Sequence, residues 1–131
     1  MIASFCLEGV KPISQGSMKH IGHGRMIHQN AKELAIFRAL IAQEAKKHFE
    51  KPLEGAVILK MEFGLIKPKT VKRDYPTVPS DLDKYVRSVN DSLTNVVYLD
   101  DAQVIEITAK KYYAPNYLVK IEVYEPGFDA L

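Results

Sequence analysis

The chain has 131 residues, a length typical of one domain with one hydrophobic core. With 47% hydrophobic and 26% charged residues, its composition is that of an ordinary globular protein and excludes the disordered and fibrous classes. No apolar run approaches the roughly 18 residues that a transmembrane helix needs, and the first ten residues lack the features of a signal peptide. The single cysteine, Cys6, excludes an intrachain disulfide, so we expect a cytoplasmic protein without membrane association.

The first half of the chain is predicted to form a strand, a loop and a helix. Residues 1–10 alternate in the manner of a strand, in which Cys6 is expected to be a buried small hydrophobe. Residues 11–28 form a loop whose end can make a short strand. A helix over residues 31–50 follows, with Asn30 as its N-cap and one apolar face: Leu34, Phe37, Ile41, Ala45 and Phe49.

The second half is predicted to alternate strands and helices. The pattern gives a buried strand over 55–66, a loop over 67–80 with three Pro, a helix over 83–95, a turn at 99–101, and strands over 103–113 and 117–124. We expect an α+β fold, in which a mixed sheet of four to five strands carries two helices on one face.

Charge is distributed unevenly along the chain, although the net charge is only +2. Residues 9–73 contain 13 Lys or Arg and 5 Glu, whereas residues 74–131 contain 5 Lys or Arg and 10 Asp or Glu. Five Asp fall within 21 residues, namely Asp81, Asp83, Asp91, Asp100 and Asp101. Clustered Asp beside clustered cations is the pattern of a site for a polyanion and a divalent cation, although solvated charges also cluster by chance.

Two interpretations apply to the segment that starts the second helix. In one, Ser80 is the N-cap, and Asp81 and Asp83 only favour the positive end of the helix dipole, with carboxylates roughly 200° apart around its axis. In the other, the chain stays extended through Asp81, so that both carboxylates face one way and can bind Mg²⁺ or Mn²⁺.

The acidic pattern continues beyond Asp83. Arg87 and Asp91 follow it at four and eight residues, on the same helical face, where a cation beside acids suits phosphate chemistry. The alternative for Arg87 is a surface ion pair with Asp83. Asp100 and Asp101 form a second acidic pair, for which turn chemistry is the alternative.

Together these segments resemble the RusA family of Holliday junction resolvases. The resemblance rests on Asp81–Leu82–Asp83, Asp91–Ser92–Leu93 and Leu99–Asp100–Asp101–Ala102–Gln103–Val104. It is firm over residues 79–105 and looser over most of the chain. It implies a RusA-like single domain over residues 1–131, acting as a homodimeric endonuclease that nicks four-way DNA junctions with Mg²⁺ or Mn²⁺. Members of the family are often encoded by phages and prophages.

The resemblance also implies roles for individual residues. Metal ligands fall on Asp81, Asp83 and Asp101, with Asp100 contributing, and Asp91 matches a further acidic position whose role stays open. Arg87 replaces the family's catalytic lysine, and Lys84 stands where the family commonly has Asn. Because Arg cannot donate a proton as Lys does, Lys84 is a second catalytic candidate.

Two basic loops are the candidate DNA-binding segments, and the predicted helix over 31–50 and strand over 55–66 lie between them in the chain. The first is residues 67–80, with Lys67, Lys69, Lys72 and Arg73; Tyr75 beside them could stack on a base. The second is residues 11–28, with Lys11, Lys19 and Arg25, and a third candidate is the pair Lys110 and Lys111. Apolar residues of the loop 11–28 are candidates for a dimer interface: Ile13, Met18, Ile21 and Met26.

Two other functions remain open at this stage. The chain could be a DNA-binding module that keeps the fold without the chemistry, an interpretation that Lys84 favours. It could also be a metal-dependent hydrolase of a small phosphorylated substrate, although such a substrate does not need so many dispersed cations.

Overall fold

The centre of the fold is a four-stranded mixed sheet. The computed structural model describes residues 1–16, 18–20, 26–28 and 31–127, with residues 18–20 and 26–28 described by their backbone alone. The strands of the sheet are β1 (Ala3–Glu8), β4 (Val57–Leu65), β5 (Val104–Tyr113) and β6 (Leu118–Tyr124), in the order β1-β6-β4-β5. Two short strands, β2 (Met18–His20) and β3 (Met26–His28), pair antiparallel as a separate ribbon.

Strand β4 sets the register of the sheet. It pairs antiparallel with β6 and parallel with β5, so that Met61 lies opposite both Ile121 and Ala109. The β1–β6 pair places Phe5 opposite Ile121. Because paired residues share a face, one face of the sheet carries an apolar row across all four strands.

Helices α1 (Ala31–Lys46) and α2 (Leu82–Leu93) cover this apolar face and contact each other. The stripe predicted for α1 is buried at Leu34, Phe37, Ile41 and Ala45. On α2, Tyr85 stacks on Phe63 of β4, with ring centroids 5.2 Å apart. The predicted α+β architecture, a mixed sheet with two helices on one face, is therefore confirmed.

Helix α1 ends four residues earlier than predicted. The amides of Lys47 and His48 donate to the carbonyls of Glu44 and Ala45, bonds that span three residues and tighten the chain into a turn. The His48 ring then stacks on Phe5, at 5.1 Å between centroids, and Phe49 still packs against the core. The expected N-cap, Asn30, lies outside the described residues.

The other face of the sheet carries no helix in the described part of the chain. Cys6 lies on this face and is exposed, so the prediction of a buried Cys6 is wrong. The reason is the alternation of β1, which turns Ala3 and Phe5 into the core and the intervening Ser4 and Cys6 away from it. Among the described residues no helix has the length and apolarity to cross a membrane.

The segment before β2 packs against α2. Ile13 is 9% exposed and belongs to the core, so it cannot serve the dimer interface predicted for it. Its carbonyl accepts a hydrogen bond of 2.7 Å from the buried hydroxyl of Ser88. The side chains of the other proposed interface residues, Met18, Ile21 and Met26, lie outside the described residues.

Candidate active site

The start of α2 follows the extended interpretation. Asp81 has extended backbone angles (φ −71°, ψ 144°) and is the residue that precedes the helix, and its side chain makes no capping hydrogen bond. The interpretation of Ser80 as N-cap is wrong, because the helix begins at Leu82. The Ser80 hydroxyl instead accepts a hydrogen bond from Ser14.

One face of α2 borders a groove of about 420 Å³. Asp83, Arg87 and Asp91 reach this groove from successive turns of the helix, and Asp101 reaches it from the segment before β5. The other lining residues are Gln15, Val86 and Asn90. Three of the five predicted acidic positions, separated by up to 18 residues, thus meet around one space.

Arg87 is an exposed side chain that forms no ion pair with any described residue. The alternative explanation, a surface pair with Asp83, is therefore not found. Since its guanidinium lies in the groove with three carboxylates, it is available to a phosphate group there.

Asp81 is not among the residues that line this groove. Its side chain is 62% exposed, and the Lys84 ammonium lies 3.7 Å from its Oδ2. Such an exposed pair contributes little to stability, because water screens it. The structure therefore places Lys84 beside Asp81 at the N-terminal end of α2, apart from the three carboxylates in the groove.

The groove suits a hard divalent cation in the chemistry of its donors. Carboxylate and amide oxygens from Asp83, Asp91, Asp101 and Asn90 line it. Within the described residues, no three His, Cys, Asp or Glu side chains are grouped closely enough to form a ready cage for a metal ion. Mg²⁺ does not require one, because it is usually bound through one or two carboxylates, with water and substrate phosphate completing its shell.

Asp101 is held by a short 3₁₀ turn, Asp101–Gln103. Asp100 caps this turn, since its Oδ1 accepts a hydrogen bond of 2.9 Å from the Ala102 amide. The Gln103 side chain accepts from the Leu99 and Asp100 amides and donates to the carbonyls of Leu53 and Gly55. Asp100 and Gln103 thus form a capping box, a motif that is visible in the sequence as D-x-x-Q. The adjacent Asp100 and Asp101 therefore have different surroundings, since Asp100 caps the turn and Asp101 lines the groove.

Tyr98 lies close enough to Asp91 and Asp101 for their charges to affect its hydroxyl. It is fully buried, and its hydroxyl donates to the carbonyl oxygen of Asn90 at 3.0 Å. Burial raises the pKa of Tyr98 well above its ordinary value, and the negative charges of Asp101 and Asp91 raise it further. Folding therefore favours the neutral form of this hydroxyl, which is fixed to α2 through the Asn90 carbonyl.

A second cavity of about 420 Å³ adjoins the groove. Asp91 and Asp101 line both cavities, and Asp100 and Arg38 line the second one. Arg38, a half-buried residue of α1, has no ion pair with any described residue. Sequence reasoning missed Arg38 and Gln15, because neither belongs to a motif and each reaches the site from a distant segment.

The predicted DNA-binding residues divide into anchored and free side chains. Arg73 donates to the Tyr113 hydroxyl at 2.8 Å, and the Lys67 ammonium lies 5.9 Å from the centroid of the same ring. Lys69, Lys72 and Tyr75 are exposed. The side chain of Lys19 and all of Arg25 lie outside the described residues.

Lys110 and Lys111, the third DNA-binding candidate, point to different faces of β5. The Lys111 ammonium donates to the carbonyls of Val78 and Ser80, each at 2.9 Å. These bonds tie the segment before Asp81 to the sheet, so Lys111 has a structural contact here. The Lys110 ammonium lies on the uncovered face, 5.8 Å from the centroid of the Tyr112 ring.

Comparison with known proteins agrees with this geometry. The family model described as Endodeoxyribonuclease RusA matches residues 10–124. The chain is also 26% identical over 129 residues to the uncharacterized protein YqaN of Bacillus subtilis (strain 168), a match that covers 88% of this chain and 91% of that protein. Since the family model spans most of the chain, including the groove, α2 and the 3₁₀ turn, the protein belongs to the RusA family of endodeoxyribonucleases, which act on Holliday junction DNA.

Proposed function

We propose that this chain is one RusA-like domain that resolves four-way DNA junctions by Mg²⁺- or Mn²⁺-dependent hydrolysis of paired phosphodiester bonds. The observation that carries the proposal is the groove in which Asp83, Asp91 and Asp101 face Arg87. The groove thus combines acids that can bind a cation with a guanidinium that can bind phosphate, an arrangement that favours hydrolysis of a phosphodiester.

In this proposal, Asp83 and Asp101 would hold the divalent cation in the groove. We include Asp81 and Asp100 as further ligands on their positions in the acidic motif, although Asp81 lies beside Lys84 outside the groove and Asp100 lines the adjoining cavity. The cation, when bound, lowers the pKa of a water molecule and offsets negative charge on the phosphate. Asp91 lies one helical turn beyond Arg87 and completes the acidic wall.

Arg87 and Lys84 act on the phosphate side of the reaction. A water oxygen forms a bond to phosphorus, and the bond from phosphorus to the 3′ oxygen breaks. Arg87 donates hydrogen bonds to the phosphate oxygens as negative charge develops, but it remains protonated and so cannot supply a proton. Lys84, at the N-terminal end of α2, is the second catalytic candidate, because an ammonium group can protonate the leaving oxygen.

Cations outside the groove bind the DNA backbone. Lys69 and Lys72 are exposed and free of described partners, and Lys67 and Arg73 are held beside Tyr113 in the same segment. We also include Lys19 and Arg25 in this DNA-binding set on their sequence position. Such contacts offset the repulsion between phosphate and the acidic groove.

Paired cuts require two active sites related by the symmetry of the junction, so the proposal includes a homodimer. Because its substrate is intracellular DNA, the proposal also places the protein in the cytoplasm.

The test is cleavage of a labelled four-way junction and a matched linear duplex, with Mg²⁺ and with chelator. Symmetric nicks in the junction alone, and only with Mg²⁺, support the proposal. Retarded migration of the junction without cleavage in either Mg²⁺ or Mn²⁺ would contradict it. That result would favour a DNA-binding module without chemistry, the alternative that the Lys84 contact with Asp81 supports.

A further inference from the structure

Strand β5 forms one edge of the central sheet. It has 10 residues and pairs with β4 on one side, and no described strand pairs with its other side. Residues 105–108 are all exposed, and Ile105 and Ile107 are 62% and 38% exposed. A long open edge with exposed apolar side chains is a template for a further strand. The free side of β5 is therefore a surface that a partner strand can cover.

The charges of β5 are arranged symmetrically about Thr108. Glu106 lies two residues before it and Lys110 two residues after it. All three side chains lie on the uncovered face, because they alternate with Ile107, which pairs with the buried Leu59. Glu106 forms no ion pair with any described residue. If two β5 strands pair antiparallel about Thr108, Glu106 of each copy lies opposite the partner's Lys110.

This register is the one two-fold pairing of β5 that brings opposite charges together. An axis through Glu106 or Lys110 would place that residue opposite its own copy, and like charges opposite each other destabilise a strand pair. With the axis at Thr108, the two threonines lie opposite each other. Ile107 then lies opposite the partner's Ala109 on the helix-covered face, so part of its exposed surface is covered.

The opposite edge of the sheet lacks this complementarity. Strand β1 is shorter, with 6 residues, and Glu8 is the one charged residue in it. No register of two β1 strands can therefore bring opposite charges together. The charge pattern distinguishes β5 as the edge that suits a second copy of the chain.

We infer that two copies of this chain associate by antiparallel pairing of their β5 strands, about a two-fold axis that passes through Thr108 perpendicular to the sheet. The inference rests on the homodimer of the proposed function and names its surface. Such an axis keeps corresponding faces of the two sheets on the same side, so both pairs of helices lie on one side of a continuous sheet. The two grooves, each bordered by α2, lie on that side, where one junction can reach both.

The test exchanges charges between copies, using full-length Glu106→Lys and Lys110→Glu proteins and their equimolar mixture in analytical ultracentrifugation. Each variant alone places like charges opposite each other twice, so its dimerisation should weaken by about tenfold or more. In the mixture, a mixed dimer restores two opposite-charge contacts, and dimerisation should return to near the wild-type affinity. Charge reversal is needed because an exposed ion pair contributes little by itself, so its loss in a neutral variant changes dimerisation little.

The matched control is Glu8→Lys, which makes the same charge change at an exposed position on the opposite edge and should leave dimerisation unchanged. The inference would be overturned by unchanged dimerisation in both reversed variants, by a mixture as weak as either alone, by an equal loss in Glu8→Lys, or by a wild-type protein that is monomeric at every concentration.

Sedimentation requires neither metal nor DNA, so the test separates the dimer from the chemistry. If the mixture restores the dimer but wild type cuts no junction, the inference stands and the proposed function fails. If wild type cuts junctions in pairs but its dimer tolerates both reversals, the proposed function stands and the inference fails.

Discussion

Asp91 and Asp101 line both of the cavities that meet beside α2, although one lies on the helix and the other in the 3₁₀ turn before β5. The hydroxyl of the buried Tyr98 is fixed to the Asn90 carbonyl and is affected by the charges of both carboxylates. The two cavities share these residues, and each cavity has one arginine in its lining, Arg87 in the first and Arg38 in the second.

The adjacent acids Asp100 and Asp101 should respond differently to substitution. Asp101→Asn should lower junction cleavage by roughly a hundredfold or more, because it removes a carboxylate from the groove while leaving the fold intact. Asp100→Ala should instead lower the free energy of unfolding by about 1 kcal/mol, since it removes the cap of the 3₁₀ turn, and should reduce cleavage less. Urea denaturation and single-turnover cleavage measure the two effects. Equal losses of cleavage in both variants would contradict the separation of roles.

Lys111 should support the site through the backbone before Asp81. Lys111→Met removes two hydrogen bonds to carbonyls, so the free energy of unfolding should fall by about 2 kcal/mol and cleavage should slow severalfold. The neighbouring Lys110→Met is the control, because Lys110 contacts the Tyr112 ring on the uncovered face. A loss of junction affinity in Lys111→Met without a change in stability would indicate a DNA contact instead.

The exposed lysines of the loop 67–80 should contribute to affinity through phosphate. Lys69→Ala with Lys72→Ala should weaken junction binding and make the slope of log affinity against log salt shallower by up to about 2. Lys60 and Lys120 lie on the uncovered face, where Lys120 pairs with Cys6 across the sheet and both line one cavity with Lys110. The variant Lys60→Ala with Lys120→Ala removes the same charge from that face and serves as the control. Fluorescence anisotropy across a salt series distinguishes the pairs, and identical slopes for both would remove this loop from the DNA interface.

Tyr98 should make stability depend on alkaline pH. The pKa of Tyr98 is raised in the folded state, so folding favours its neutral form. The contribution of this preference to the free energy of unfolding is complete below about pH 10 and is lost as the pH rises further. The stability advantage of wild type over Tyr98→Phe should therefore shrink by about 1 kcal/mol between pH 10 and pH 11. Denaturation of both proteins across this range measures the difference, and a constant advantage would contradict the burial of a neutral hydroxyl.

The sequence predicted the elements whose periodicity is strong. Three features follow from local patterns and appear in the structure: the apolar stripe of α1, the apolar run of residues that forms β4, and the helical spacing of the acidic residues on α2. The end of α1 was harder to predict, because a tight turn and the stacking of His48 on Phe5 replace its last turn. Such a contact depends on a strand more than 40 residues earlier, which periodicity does not register.

The candidate site likewise contains residues that the sequence could predict and residues that it could not. Asp83, Arg87 and Asp91 could be grouped from helical spacing alone. Gln15 and Arg38 could not, since only tertiary packing brings them to α2 and the 3₁₀ turn. Sequence spacing also could not show that Asp81 lies beside Lys84 and outside the groove, because its backbone is extended as the cation interpretation expects.

The most direct test of the central claim is junction binding and Mg²⁺-dependent cleavage by purified Asp83→Asn protein, compared with wild type. The account predicts that cleavage is abolished while junction affinity is retained or increased, because one negative charge is removed from a groove that faces phosphate. Cleavage by Asp83→Asn at the wild-type rate in Mg²⁺ would show that the groove of Asp83, Asp91 and Asp101 is not the site of hydrolysis.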